Sequence, residues 1–231
     1  MSHLFYNSKS RSKPGWSFYF RIAFIQILFL AALSFGQVGD EQNRDQWQQP
    51  ERIMDSVGVK TGMKIGEIGA GEGYFTFKLA NRVGENGLVY ANDISDKKLN
   101  NLREKIKHQN ISNVRVVKGN EDDPLFPETG LDMIIMVYVF HDLSDPVTLM
   151  ENANKYLSPA SPVVIVDRDP DRYGTWRSHF MSRSEIVKKV EQAKYRVVKT
   201  FTFLPRDNIY ICLPLQMEGE SKSDLDEGNT P

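Results

Sequence analysis

Short apolar runs alternate with amphipathic stretches over most of the chain. Runs at 63–68, 88–91, 114–117, 131–139 and 162–167 have strand lengths. Between them, Phe75, Leu79 and Val83, then Leu99, Leu102 and Ile106, then Leu149, Met150, Ala153 and Leu157 recur at helical spacing. The run 131–139 is broken only by Asp132, as expected of a central parallel strand covered on both faces. A short helix over 50–57, with Ile53, Met54 and Val57 on one side, precedes the first strand. The alternation changes at the end. Ser182 and Glu185 have capping-box spacing and open a helix with Ile186, Val187, Val190 and Ala193 inward. Two more strands follow, at 197–204 and 209–213, and the four residues between them are too few for a crossover, so the pair is antiparallel. The expected fold is α/β, a doubly wound, mostly parallel seven-stranded sheet with the last strand antiparallel, in a single domain over 47–214.

The remaining segments do not fit that pattern. Lys9, Arg11, Lys13 and Arg21 stand in a basic arm with no acid before Asp40, and residues 22–35 are almost wholly apolar. Fourteen apolar residues suit the core of a secretory signal and fall short of the roughly 20 that span a bilayer. Residues 1–36 are therefore expected to be a signal peptide, with small residues at Ser34 and Gly36 before a cleavage at Gln37, or else an N-terminal membrane anchor. Residues 37–46 are polar and read as a linker. Residues 215–231 hold five acids against Lys222 and read as a disordered tail. The net charge of -1 at pH 7 includes no basic face in the body, so no nucleic-acid partner is expected. Cys212 is the single cysteine, inside an apolar strand, which excludes an internal disulfide and a multi-cysteine metal site.

Chemistry is expected where ligands of open α/β sheets sit, at the carboxyl ends of the strands. Glu67 ends the first apolar run, and Gly69, Gly71 and Gly73 follow at alternate positions before a helix over 74–83. Glycine permits a tight turn and lets a ligand approach the backbone closely. Asp93 ends the second strand, Asn120 and Glu121 follow the third, Tyr138 to Asp142 follow the fourth, and Asp167 ends the fifth. A nicotinamide site would want a third glycine where Tyr74 stands.

The loop from Glu67 through Gly73, with residues 89–93 and 131–136, resembles the cofactor region of class I S-adenosylmethionine-dependent methyltransferases. Residues 139–145 are similar to the H-H-x-x-D stretch of the ubiquinone/menaquinone-type and related small-molecule enzymes. His141 matches the first histidine, and Asp142 replaces the second. The turn at 157–162 lacks the usual glycines, and Asn120 stands where many relatives have aspartate. The resemblance implies S-adenosylmethionine as cofactor and a small-molecule acceptor. Glu67 and the loop amides at Gly69, Gly71 and Gly73 would hold its methionine part. Asp93 would bind the ribose hydroxyls, and Asn120 and Glu121 the adenine edge. Tyr138 would complete the cofactor site.

Some roles stay open at this level. His141 is either a general base or a histidine hydrogen-bonded to the following helix. Trp47, Gln48 and Arg52 are lid candidates, or Trp47 packs on the sheet edge. His179 reaches over the substrate or belongs to a surface loop, and Asp145 is a helix cap. Asp142, Asp145 and Asp167 form no pattern that demands a metal, so none is expected. An exported, catalytically idle domain of the same fold is the main alternative, and a nicotinamide-dependent oxidoreductase is another. The basic arm and apolar stretch predict export or membrane association, in tension with a cofactor made in the cytosol. A cytoplasmic-facing domain resolves that tension.

Overall fold

A computed structural model describes residues 44–172 and 179–215. The signal-like segment 1–36, the linker up to residue 43 and the acidic tail from 216 lie outside the described residues. One compact unit of the chain begins at Trp47. Residues 44–48 are helical. That stretch contains no glycine or proline to stop a helix.

The sheet has seven strands, β1 (Lys64–Ile68), β2 (Leu88–Asp93), β3 (Val114–Lys118), β4 (Met133–Val137), β5 (Val163–Arg168), β6 (Tyr195–Phe201) and β7 (Asp207–Pro214). Their spatial order is β3-β2-β1-β4-β5-β7-β6. Strands β1 to β5 pair in parallel, and β7 is antiparallel to both β5 and β6. Besides the helical stretch 44–48, the described residues include α1 (Pro50–Val57), α2 (Tyr74–Val83), α3 (Asp96–His108), α4 (Pro146–Ala153) and α5 (Arg183–Gln192). The chain leaves β1 toward β2 and β3, then returns to β4 on the other side of β1. The crevice between the β1 and β4 ends is thus the topological switch point.

All five residues of β4 are buried. Met133, Ile135 and Val137 join a core with α1 and α2, including Ile53, Leu79 and Val83. Ile134 and Met136 point the other way, into a core with Leu149, Met150, Ile186 and Val190 of α4 and α5. Two covered faces explain why this strand reads as a continuous apolar run. Each fully buried Ile or Leu side chain contributes about 1.5–3 kcal/mol.

The element boundaries follow from local chemistry. Pro50 at the first turn and Gly58 at the left-handed C-cap, φ 80°, delimit α1. Ser95 and Asp145 cap α3 and α4 through Lys98 N and Thr148 N. Ser182 and Glu185 form the expected reciprocal capping box. Several boundaries differ from the sequence pattern, among them the end of β6, which falls at Phe201 and not at residue 204. Strand β4 stops at Val137 because Tyr138 takes φ 59°. Leu157 falls beyond α4 and instead bridges to Leu131. Strands β6 and β7 each begin two residues early, around buried Tyr195 and Asp207.

Gly66 in β1 lies against the ring of Phe126: a Cβ there would meet two ring atoms at 2.7 Å. Replacing it with alanine is expected to cost about 1–3 kcal/mol through overpacking. The urea midpoint of Gly66→Ala should fall accordingly; an unchanged midpoint would show that the Phe126 ring yields freely.

Candidate functional site

Glu67, at the end of β1, is 2% exposed, and its carboxylate accepts from Thr76 Oγ1 in the first turn of α2. An anion there is favoured by the aligned peptide dipoles at the helix start. The three loop glycines all take left-handed backbone, with φ 77°, 59° and 93° at Gly69, Gly71 and Gly73. They differ in what surrounds them. A Cβ on Gly69 would collide with Val139 and one on Gly73 with Leu102, whereas above Gly71 nothing lies within 4 Å. The first and third glycines permit packing, and Gly71 presents an open surface.

Two of the amides expected to face a cofactor are engaged within the protein. Gly71 N donates to Asp93 Oδ2 at 3.0 Å, and Gly73 N donates to Ala70 O. Asp93 Oδ1 accepts from Ser95 N at 2.8 Å. The carboxylate therefore ties the glycine loop to the start of α3, and each oxygen retains a second lone pair for a hydroxyl donor. Asn120 and Glu121 are exposed just beyond β3, beside Asp93, whose carbonyl accepts from Gly119 N.

Across the crevice, the chain after β4 forms a short 3-10 turn, Phe140–Asp142. Asp167, 1% exposed at the end of β5, accepts from His141 N at 2.9 Å and lies 2.7 Å from His141 Nδ1. It also accepts from Arg168 N. The histidine partner is thus an aspartate on the neighbouring strand, not the following helix. With Nδ1–H donated to Asp167, the neutral ring carries its lone pair on Nε2. Burial disfavours the charged imidazole, but the Asp167 hydrogen bond and charge, helped by Asp142, outweigh it and leave the His141 pKa raised. His141 Nε2 lies 3.5 Å from Asp142, and His179 Nε2 lies 3.5 Å from the same carboxylate.

Tyr138 turns its hydroxyl to Asp207 at the start of β7 and its ring edge to Trp47, 5.8 Å between centroids. Its φ of 59° is uncommon for a residue with a side chain and is held by Tyr138 N donating to Val166 O. The Arg168 guanidinium lies 4.8 Å from the Tyr138 ring, 5.3 Å from Trp47 and 5.5 Å from Phe180. Arg206 also approaches Trp47. Tyr138 therefore belongs to an aromatic and cationic cluster at the β5–β7 end of the rim. Trp47 packs within that cluster, while Arg52 stacks on Phe203 and Gln48 is wholly buried. The sequence placed Asp167 at a strand end without a role and missed Asp207 and Arg168. Their signal was present only as polar residues flanking the two last buried runs.

A seven-stranded sheet in this order, with a glycine loop and an acid on successive strands at its switch point, defines the class I methyltransferase fold. A family model described as a methyltransferase domain matches residues 59–209, and the chain belongs to that family. It is 27% identical over 125 residues to a ubiquinone/menaquinone biosynthesis C-methyltransferase UbiE of Shewanella sediminis, covering 54% of this chain and 50% of that one. The corresponding protein of Idiomarina loihiensis is 30% identical over 115 residues, covering 49% and 46%. The chain thus spans about half the length of these curated relatives. Among solved structures, a SAM dependent methyltransferase from Aquifex aeolicus aligns with a TM-score of 0.68 at 27% identity, covering 72% of this chain and 89% of that one.

The family implies S-adenosylmethionine as the cofactor, and the residues present suit it. Gly71 offers open backbone, Asp93 has acceptor capacity for ribose hydroxyls, and Glu67 supplies a buried carboxyl group near the loop. Bound there, the cofactor supplies an electrophilic methyl carbon.

Burial pushes the Asp207 carboxyl up to about 6 from 3.8, against the opposing Tyr138 hydrogen bond and Arg168 charge. Its Oδ1 is buried without a partner among the described residues. The folded state thus holds the proton more tightly than the unfolded chain. The group's contribution is fully present below about pH 4 and is lost as pH rises through about 6, a loss of about 3 kcal/mol. Urea stability measured from pH 4 to 7 should fall more steeply in the native protein than in Asp207→Asn. Parallel curves would refute the buried-proton assignment.

Proposed function

We propose that the protein transfers a methyl group from S-adenosylmethionine to a small-molecule acceptor. The observation that carries this reading is the opposition, across one crevice, of the open Gly71–Asp93 cradle and the His141–Asp167 pair. The cradle residues bind and orient the donor. Positioning two reactants in one site accounts for much of the barrier reduction in such reactions. His141 takes up a proton at Nε2 when the acceptor must lose one, and Asp167 fixes the ring and stabilises its charged form.

The rings of Trp47, Tyr138 and Phe180 around Arg168 suit a planar acceptor that carries negative charge or oxygen acceptors. The relatives' names, in quinone biosynthesis, support a small molecule of that kind. The basic arm and apolar residues 22–35 support export or membrane anchoring. The mass of the mature N-terminus tests this: a chain beginning at Gln37 is expected for a cleaved signal, and an intact apolar segment in the membrane fraction for an anchor. An intact chain recovered only in the soluble cytosolic fraction would refute both. No helix among the described residues is long and apolar enough to cross a membrane.

Asp93→Ala removes the ribose acceptor and the tether of Gly71. Hydrogen bonds to a charged group contribute about 1.5–3 kcal/mol, so S-adenosylmethionine affinity should fall roughly 10- to 100-fold. Titration calorimetry on variant that retains its urea transition checks this. Native-like affinity in the variant, or no binding by the native protein, would overturn the reading.

A further inference from the structure

The fold brings together three groups that the chain keeps apart. His141 Nε2, an Asp142 carboxylate oxygen and His179 Nε2 all lie within 4.8 Å of one another. His141 and Asp142 occupy the 3-10 turn after β4, and His179 arrives from the polar stretch that precedes α5. We propose that His141, Asp142 and His179 form a binding site for one divalent first-row transition ion at the acceptor side of the crevice.

Four observations carry the assignment. The first is donor chemistry: two imidazoles and one carboxylate are the ligand set that binds such ions while leaving positions open for other oxygen ligands. The second is spacing. Ligands about 2.0–2.1 Å from an ion in a tetrahedral arrangement stand about 3.4 Å apart. Asp142 Oδ2 lies 3.5 Å from His141 Nε2 and Asp142 Oδ1 lies 3.5 Å from His179 Nε2, and one ligand atom from each residue falls within 4.8 Å of the others. A small ion therefore fits with side-chain adjustment and no movement of strands.

The third is orientation of the first ligand. His141 is only 6% exposed at its side chain, and its Nδ1 is engaged by Asp167 at 2.7 Å. That contact selects the tautomer with the Nε2 lone pair directed at Asp142 and His179. A carboxylate behind a ligating histidine is the usual support of such a ligand, fixing the ring and raising its basicity. Asp167 is itself held by His141 N and Arg168 N, so the ring is set before any ion arrives. The fourth is charge: two carboxylates, of Asp142 at 3.5 Å and Asp167 at 2.7 Å, stand against the two ring nitrogens of His141 and offer negative charge to a dication.

This departs from the sequence expectation of no metal, which weighed Asp142, Asp145 and Asp167 together. Asp145 is spent on the α4 cap, and Asp167 stands behind the histidine rather than beside it. The third ligand was His179, a long way off in the chain. An ion on Nε2 would occupy the lone pair that otherwise accepts a proton. In the loaded site the ion, in place of His141, would ease proton loss from a coordinated acceptor oxygen. That placement rests on the methyl-transfer reading, and binding of the ion does not.

Zinc binding to the full chain is measured by equilibrium dialysis, with cobalt(II) as a spectroscopic substitute in parallel. The expected result is one ion per chain and visible cobalt bands of an imidazole and carboxylate site, without thiolate absorption because Cys212 is buried. His179→Ala, at an exposed position, should weaken zinc binding by about tenfold or more, as should Asp142→Asn, and His108→Ala should leave it unchanged. Calorimetry with S-adenosylmethionine on the same samples should give native affinity in His179→Ala. Failure of that cofactor to bind the native protein would remove the methyl-transfer reading and leave the zinc result standing. No zinc binding by the native chain, undiminished binding in His179→Ala, or loss in His108→Ala instead would overturn the site.

Discussion

A carboxylate can be buried only where donors surround it, and in this sheet donors gather at one edge. The central strands are covered by helices on both faces, so their interiors admit almost no polar side chain. The buried acids Glu67, Asp93 and Asp167 all sit at strand carboxyl ends, and Asp207 opens the antiparallel strand beside Asp167. Each is held differently: Glu67 by a threonine hydroxyl, Asp93 by two amides, and Asp167 by two amides and an imidazole. Asp207 has a tyrosine hydroxyl on one oxygen and, among the described residues, none on the other, and holds its proton more tightly instead. Such groups are costly when unpaired. The packing that stabilises the fold therefore also confines its chemistry to the rim.

Along that rim the two sides of the crevice are built on different terms. On the β1–β2 side, backbone conformation dominates: three left-handed glycines shape the loop, and only Gly71 leaves room above it. On the β4–β5–β7 side, side chains dominate. Tyr138, in a strained conformation, reaches Asp207, while His141 leans on Asp167 and Arg168 lies among aromatic rings. The first side suits a ligand held in one manner. The second can vary its reach by changing residues without disturbing the sheet.

The sequence made the sheet legible because burial writes itself as periodicity. Residues 131–139 announced a doubly covered strand, and the four-residue gap before residue 209 forced an antiparallel finish. The acids after β1 and β2 were equally visible, since they interrupt apolar runs next to glycines. What stayed hidden were contacts between distant segments. That His141 leans on Asp167, 26 residues onward, depends on β4 and β5 being neighbours. The turn of Tyr138 toward Asp207 depends on a backbone angle that no pattern encodes. The engagement of Gly71 N by Asp93 was likewise invisible, and it changes that loop's role from donor of an amide to open surface.

That last contact has an effect beyond recognition. Asp93 grips the glycine loop with one oxygen and the first residue of the α3 cap with the other. A ligand that settles on this carboxylate draws on the same group that holds two segments in register. Occupancy and local order are then thermodynamically linked, so that filling the crevice slows the opening of the loop and of the helix start together. The protein's resistance to local unfolding would track the supply of its donor.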